Sequence, residues 1–314
     1  MNETRRTPWH GVLVATALNL HDSPRPTSPD RPPGDRSVDF DGYAAHCRWL
    51  VESGCDGVVP NGSLGEYQTL TPEDRAKVVR TAVAAVGGAR VMPGIAAYGA
   101  ADARRWAEQA AEAGCEAVML LPPNAYRADE RVVVDHYAEV AKAGIPVVAY
   151  NNPYDTKVDL TPELLARLHG EGLIVGVKEF TGDVRRAYEI AELAPGLDVL
   201  IGSDDVVLEL ALAGAKGWIA GFPNALPRAC LALYRAAMDH DVARALPLYR
   251  TLHPLLRWDA KTEFVQAIKL AMDIAGRHGG PCRAPRLPLT PEQEKVVRAA
   301  TEDCLRLESA GADA

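Results

Sequence analysis

The chain has 314 residues, 47% of them hydrophobic and 24% charged, with a formal net charge of −8. This is the composition of a globular protein with room for a sizeable core. An acidic balance without a Lys/Arg block argues against a nucleic-acid partner, and no uncharged apolar run reaches about 18 residues, so no membrane span is expected.

The opening Met-Asn-Glu-Thr-Arg-Arg has no apolar stretch, so no signal peptide is read. Cysteines 47, 55, 115, 230, 282 and 304 show no C-x-x-C spacing, which reads as reduced structural thiols in a cytoplasmic protein.

Eight short apolar runs follow one another: 11–16, 57–60, 90–95, 117–121, 146–150, 174–178, 198–202 and 218–222. They are continuous rather than alternating, as in parallel strands covered on both faces. The segments between them carry helical signals. Tyr43, Ala44, Cys47, Leu50 and Val51 share one face, and Gly54 stops that helix. Thr71-Pro72-Glu73-Asp74 supplies an N-cap, a proline at the first helical position and acids in the first turn. Trp106, Ala107, Ala110 and Ala111 repeat the apolar face before Gly114, and Val133, Tyr137, Val140 and Ala141 do so before Gly144. Thr161-Pro162-Glu163 caps another helix, and residues 207–213 form one more before Gly214. The phrases ESGCDGVVP, EAGCEAVML, KAGIPVVAY and LAGAKGWIA recur with a period of about 30 residues. Eight such units close a (β/α)8 barrel, expected over residues 1–224.

Two regions depart from a bare barrel. Residues 19–37 are rich in Pro, Asp and Arg and read as a long loop after the first strand, a surface insertion in preference to a lid. Residues 225–314 are purely helical in pattern, over 226–238, 242–256, 263–276 and 290–309, and read as a C-terminal helical region packed on the barrel.

In a barrel, the carboxyl ends of the strands carry the chemistry. The run 146–150 ends on Tyr150 and the run 174–178 on Lys178. A lysine at an apolar strand end is desolvated toward the neutral amine that attacks a ketone. A strand-end ion pair, with Glu179 adjacent, explains the same residue structurally. Tyr150 beside it suits proton relay, or equally a packed tyrosine that hydrogen-bonds outward. After the second strand, Asn61-Gly62-Ser63-Leu64-Gly65-Glu66 lets the backbone turn and expose N–H groups that can hold a carboxylate, or it is a plain βα turn. Ser203-Asp204-Asp205 is a cation site or a pair of helix-capping acids. The histidines show no metal-ligand spacing and there is no G-x-G-x-x-G or P-loop, so no metal or cofactor is expected.

Taken in order, NGSLGE at 61–66, YNNP at 150–153, VKEFTG at 177–182, GSDD at 202–205 and GWIAGFPN at 217–224 resemble the dihydrodipicolinate synthase / N-acetylneuraminate lyase family of lysine-dependent barrels. The resemblance implies that Lys178 forms an imine with a 2-oxo acid, that Tyr150 shuttles protons, and that Ser63 and Leu64, with Gly62, bind the acid's carboxylate. It implies pocket positions at Asn152, Ser203 and Ile219, no cofactor, and a homotetramer built as a dimer of dimers. Three positions depart from the synthases. Asp155 stands where they carry an arginine for the distal carboxylate, Asn124 where they carry a second tyrosine, and Ser63-Leu64 where they carry Thr-Thr.

The activity expected from this combination is a lysine Schiff-base lyase acting on a 2-oxo acid or a precursor of one. Aldol cleavage, dehydration or deamination of a 2-keto-3-deoxy sugar acid, a hydroxy-oxoglutarate or a hydroxy-pyrroline-carboxylate all stay open. The alternative within enzymes is 4-hydroxy-tetrahydrodipicolinate synthesis from pyruvate and aspartate semialdehyde. The alternative from another class is a barrel that binds metabolites without turnover.

Overall fold

The computed structural model describes residues 7–21 and 36–310. Among them are seven parallel strands, β1 (Gly11–Ala15), β2 (Gly57–Val59), β3 (Val118–Leu120), β4 (Val147–Asn151), β5 (Gly176–Glu179), β6 (Asp198–Ile201) and β7 (Gly217–Ala220). They run in the order β2-β1-β7-β6-β5-β4-β3. The expected eighth strand over 90–95 fills the remaining stave without a regular ladder. Val91 bridges Val58 on one side and Gly94 bridges Met119 on the other, both in parallel. The physical reason is Pro93, which accepts from the Met119 N–H at 2.9 Å but has no N–H of its own to continue the ladder. Gly94 is required there by close approach, since a Cβ would sit 2.4 Å from the Asn61 carbonyl oxygen. The sheet is therefore a closed (β/α)8 barrel, and nearly every strand residue is buried, as both-face coverage demands.

Twelve helices are seen among the described residues. The barrel carries α1 (Phe40–Glu52), α2 (Pro72–Val86), α3 (Ala100–Glu112), α4 (Glu130–Ala141), α5 (Pro153–Thr156), α6 (Pro162–Gly170), α7 (Arg185–Leu193) and α8 (Val207–Leu212). Their starts follow capping chemistry. The side chains of Asp39, Thr71, Asp129 and Thr161 accept from the backbone N–H three residues on, each cap worth about 1 kcal/mol. The short α5 and the polar α7 went unseen in the apolar pattern. Only Ala187 and Ile190 of α7 are buried.

Four more helices follow: α9 (Pro227–Met238), α10 (Val242–Leu256), α11 (Phe264–Ile274) and α12 (Pro291–Ala310). Here α10 lies against α9, and α12 packs on α9, α10 and α11. Most of the proposed 19–37 loop lies outside the described residues, and the question of a lid lies there with it. The described ends, Leu20 and Val38, form an antiparallel bridge. All six cysteines are unpaired. No helix among the described residues is long and apolar enough to cross a membrane.

The C-terminal helices are tied to the barrel by a buried ion pair. Lys269 of α11 reaches Glu66, in the loop after β2, at 2.8 Å, and both side chains are almost wholly out of water. Lys269 also donates to the Pro281 carbonyl at 2.8 Å, and Glu66 accepts the Arg283 N–H at 2.8 Å. Breaking such a pair leaves a stranded charge, which costs about 3–5 kcal/mol. Lys269→Met, which keeps the stem and removes the charge, is expected to lower stability by that amount in urea denaturation. A midpoint equal to that of the parent chain contradicts this account.

Candidate active site

Parallel pairing of β4 with β5 sets Tyr150 directly beside Lys178 at the carboxyl ends of the strands. The Lys178 ammonium lies 4.4 Å from the Tyr150 ring centroid and 5.8 Å from that of Phe180. The two rings meet edge to face with centroids 6.1 Å apart. Successive strand residues face opposite sides, so Glu179 points away from Lys178 and does not neutralise it. Its carboxylate accepts from Asn151 Nδ2 at 3.0 Å and from the Thr181 N–H at 2.7 Å. The strand-end ion pair that adjacency suggested is therefore not formed.

Lys178 opens into a cavity of about 340 Å³. Gly62, Ser63, Leu64, Tyr150, Asn152 and Asp155 line it, so with Lys178 itself seven of the ten residues singled out from sequence meet there. Among the described residues the N–H groups of Ser63 and Leu64 donate to no protein acceptor, which leaves them for a bound carboxylate. Asn152 Nδ2 reaches the Tyr150 hydroxyl at 3.4 Å and the Asp155 carboxylate at 2.9 Å. Asn124 lines a neighbouring cavity of about 700 Å³, which shares Ser63 and Asp155 with the first.

Ser203 and Ile219 do not line the lysine cavity. The Ser203 hydroxyl is taken by Asp205 at 2.6 Å, and Ile219 is buried within β7. On that side the wall is made by Gly221 and Asp259.

Asp259, in the turn between α10 and α11, had no sequence signal, being a single acid between two helical segments. It is buried and accepts the Asp204 N–H at 3.2 Å. Asp204, read with Ser203 and Asp205 as a helix cap or a cation site, makes no side-chain cap bond to the helical turns that follow. Its carboxylate accepts from the Trp218 indole at 2.9 Å and from the N–H groups of Gly221 and Phe222 at 3.0 and 2.9 Å.

These surroundings set the charge balance of the site. Burial pushes the Lys178 amine below the usual lysine range, and the carboxylates of Asp259 and then Asp204 resist the shift. Burial pushes Asp204 up to about 6 against the N–H donors around it. Asp259 is raised well above the usual carboxylate range by burial and by Asp204, with Lys178 opposing. The Tyr150 phenol is held above its usual range by burial and by Asp259 and Asp155. An amine shifted toward its neutral form beside a phenol that keeps its proton has the chemistry to form an imine and relay protons.

The sequence profile of the dihydrodipicolinate synthetase family matches residues 33–303. A 4-hydroxy-tetrahydrodipicolinate synthase of Methanothrix thermoacetophila is 34% identical over 267 residues, covering 84% of this chain and 90% of that protein. A DapA-like lyase of Halobacterium salinarum is 32% identical over 86% of this chain and 89% of that one. Among solved structures, dihydrodipicolinate synthase from Aquifex aeolicus superposes with a TM-score of 0.85 at 27% identity, covering 96% of this chain and 99% of that one. YagE from Escherichia coli K12, solved in complex with pyruvate, gives a TM-score of 0.83 at 25% identity, covering 94% and 98%.

The two aspartates make the pH response of the lysine testable. A carboxylate beside the ammonium favours the charged form, so removing it leaves the lowering by burial less opposed. In Asp259→Asn, the acid limb of imine formation with pyruvate, followed by borohydride trapping across pH, is expected to move to lower pH. An unmoved limb, or one moved upward, contradicts the assigned role.

Proposed function

Since the chain belongs to the dihydrodipicolinate synthetase family, whose members are lyases of the class I aldolase type, we propose that it carries out its chemistry through an imine on Lys178. The observation that carries this reading is the Lys178 amine over the Tyr150 ring, buried in a cavity that the Ser63–Leu64 loop also lines. The reaction proposed first is 4-hydroxy-tetrahydrodipicolinate synthesis from pyruvate and aspartate semialdehyde, the activity in the names of several relatives at 32–34% identity. We further propose the family's homotetramer and a cytoplasmic location.

Pyruvate places its carboxylate on the Ser63 and Leu64 amides. The neutral Lys178 amine attacks C2, and Tyr150 delivers the proton with which water leaves. The protonated imine is an electron sink, so loss of a C3 proton gives an enamine. Its C3 adds to the aldehyde carbon of the second substrate, which restores the imine, and the new oxygen takes up a proton. The second substrate's amine, once deprotonated, then attacks C2, closes the ring and expels the Lys178 amine. Throughout, the bound carboxylate offsets the positive imine nitrogen.

One observation favours a second reading. Asp155 lines the cavity where the synthases carry an arginine, and an acid there suits a hydroxylated or amino-bearing 2-oxo acid undergoing aldol cleavage, dehydration or deamination.

Borohydride reduction with pyruvate is expected to leave a mass adduct that maps to Lys178 and is absent in Lys178→Ala. Tyr150→Phe should keep the adduct on long incubation while lowering kcat roughly 10²- to 10⁴-fold. Consumption of aspartate semialdehyde by the pyruvate-loaded enzyme supports the synthase. An adduct without that consumption, but with turnover of a hydroxylated 2-oxo acid, transfers the assignment to the second reading. No adduct with any 2-oxo acid leaves a metabolite-binding barrel.

A further inference from the structure

Three residues, Ser63, Asp155 and Arg286, line both the lysine cavity and its larger neighbour, so they stand at the junction between the two. A second reactant that approaches the Lys178 imine through the larger cavity passes between them. Two of the three carry opposite charges.

Arg286 arrives from the segment between α11 and α12, far in sequence from the strand ends. Its guanidinium donates to the Thr262 carbonyl at 3.3 Å and lies 5.3 Å from the Phe264 ring centroid, two contacts that fix its plane. Among the described residues no carboxylate pairs with it, so most of its five N–H donors are left for a ligand. Asp155 is oriented from the other side. Asn152 donates to one of its carboxylate oxygens at 2.9 Å, and Asn152 Oδ1 accepts the Asp155 N–H at 3.3 Å. No cation of the described protein pairs with Asp155 either.

A fixed guanidinium suits a carboxylate, which it can take bidentately, and a fixed carboxylate suits an ammonium. We propose that Arg286 and Asp155 together form a clamp for the α-carboxylate and α-ammonium of an amino-acid-type second substrate, leaving its other end to reach the imine. This rests on the synthase reading above, and it changes the meaning of Asp155. The acid no longer counts against aspartate semialdehyde, because that molecule carries both groups. The arginine that the synthases place in the turn after their tyrosine is supplied here from the C-terminal segment. Lys261 also lines the lysine cavity, but its ammonium sits 3.9 Å from the Trp258 ring centroid and it does not line the larger neighbour.

The test is steady-state kinetics of the full chain at saturating pyruvate, with aspartate semialdehyde varied. Arg286→Ala is expected to raise the KM for the semialdehyde roughly tenfold to a hundredfold, the worth of a charge-assisted hydrogen-bonded pair, and Arg286→Lys to recover part of it. The pyruvate KM and the borohydride adduct on Lys178 should hold within about twofold, which also reports that the variants fold. Asp155→Asn should raise the KM for aspartate semialdehyde while leaving unchanged the Ki of succinate semialdehyde, a competitor that has the same aldehyde and carboxylate but lacks the amino group that closes the ring. Lys261→Ala should change neither. If the parent enzyme turns over the semialdehyde and the Arg286 and Asp155 variants do so with unchanged KM, the clamp is wrong and the synthase reading stands. A pyruvate KM that rises in step places Arg286 on the first substrate and also overturns the clamp. A parent enzyme that forms the pyruvate adduct but leaves aspartate semialdehyde untouched overturns both together.

Discussion

A lysine amine held out of water is the constraint from which the rest of the site follows. An ammonium in a dry strand end is costly, so burial drives Lys178 toward the neutral form, while two nearby aspartates pull it back. Neither influence is useful alone. A lysine with unopposed desolvation has no charge to offer a carboxylate, and one fully paired has no nucleophile. The barrel supplies the desolvation through β4, β5 and the rings of Tyr150 and Phe180. Close packing continues to the next strand end, where a Cβ on Gly202 would sit 2.4 Å from the Glu179 carbonyl oxygen and 3.0 Å from Lys178 Cγ. The opposing charge comes from outside the strands. Asp204 is held by the turn after β7, and Asp259 by the turn that leads into α11.

The C-terminal helices therefore do more than cover the barrel. Asp259 and Arg286 line the lysine cavity from that region, and the Glu66–Lys269 pair fixes how the region sits. Glu66 is also the end of the loop that carries Ser63 and Leu64, and its carboxylate takes the Arg283 N–H, three residues before Arg286. The loop expected to hold the first carboxylate and the segment that brings the second cation are thus joined through one buried carboxylate. A buried ion pair is a poor source of net stability. What it supplies here is registry, because it ties together two segments that line the cavity through one buried carboxylate.

Parallel strands, helix caps and the Tyr150–Lys178 pair were legible in the sequence because each rests on local physics. Buried parallel strands are written as continuous apolar runs, and a strand that ends on an ionisable residue declares its site. Local reading failed where an interaction spans the chain. Residues 90–95 looked like a strand, but Pro93 interrupts its ladder and leaves two isolated bridges. Glu179 looked like the partner of Lys178 because the two are adjacent, yet the strand's alternation sends them to opposite sides. Asp204 looked like a cap because it precedes a helix, yet its acceptors are filled by Trp218 of β7 and by Gly221 and Phe222 in the turn after it, 14 to 18 positions away. Asp259 and Arg286 had no signal, since a polar residue between helices reads as solvated surface until the fold brings it to a cavity.

The direction of proton flow follows from how these environments move the groups relative to one another. Tyr150 is pushed up by burial and then further by Asp259 and Asp155, so at neutral pH its phenol holds its proton firmly. Such a group enters a cycle as a donor, and the base that opens the cycle must be something else. Lys178 meets that need itself, because its amine is the group pushed down. The first step therefore needs no proton removed by tyrosine. In the proposed cycle it needs one delivered, to the oxygen that leaves C2 as water, and that departure would generate the phenolate for later steps. The developing imine charge offsets the cost of that phenolate in a buried site, so the tyrosine becomes a base only after the lysine has become a cation. In the proposed cycle Tyr150 and Lys178 are thus coupled in sequence of events as well as in space, through the pairing of β4 with β5.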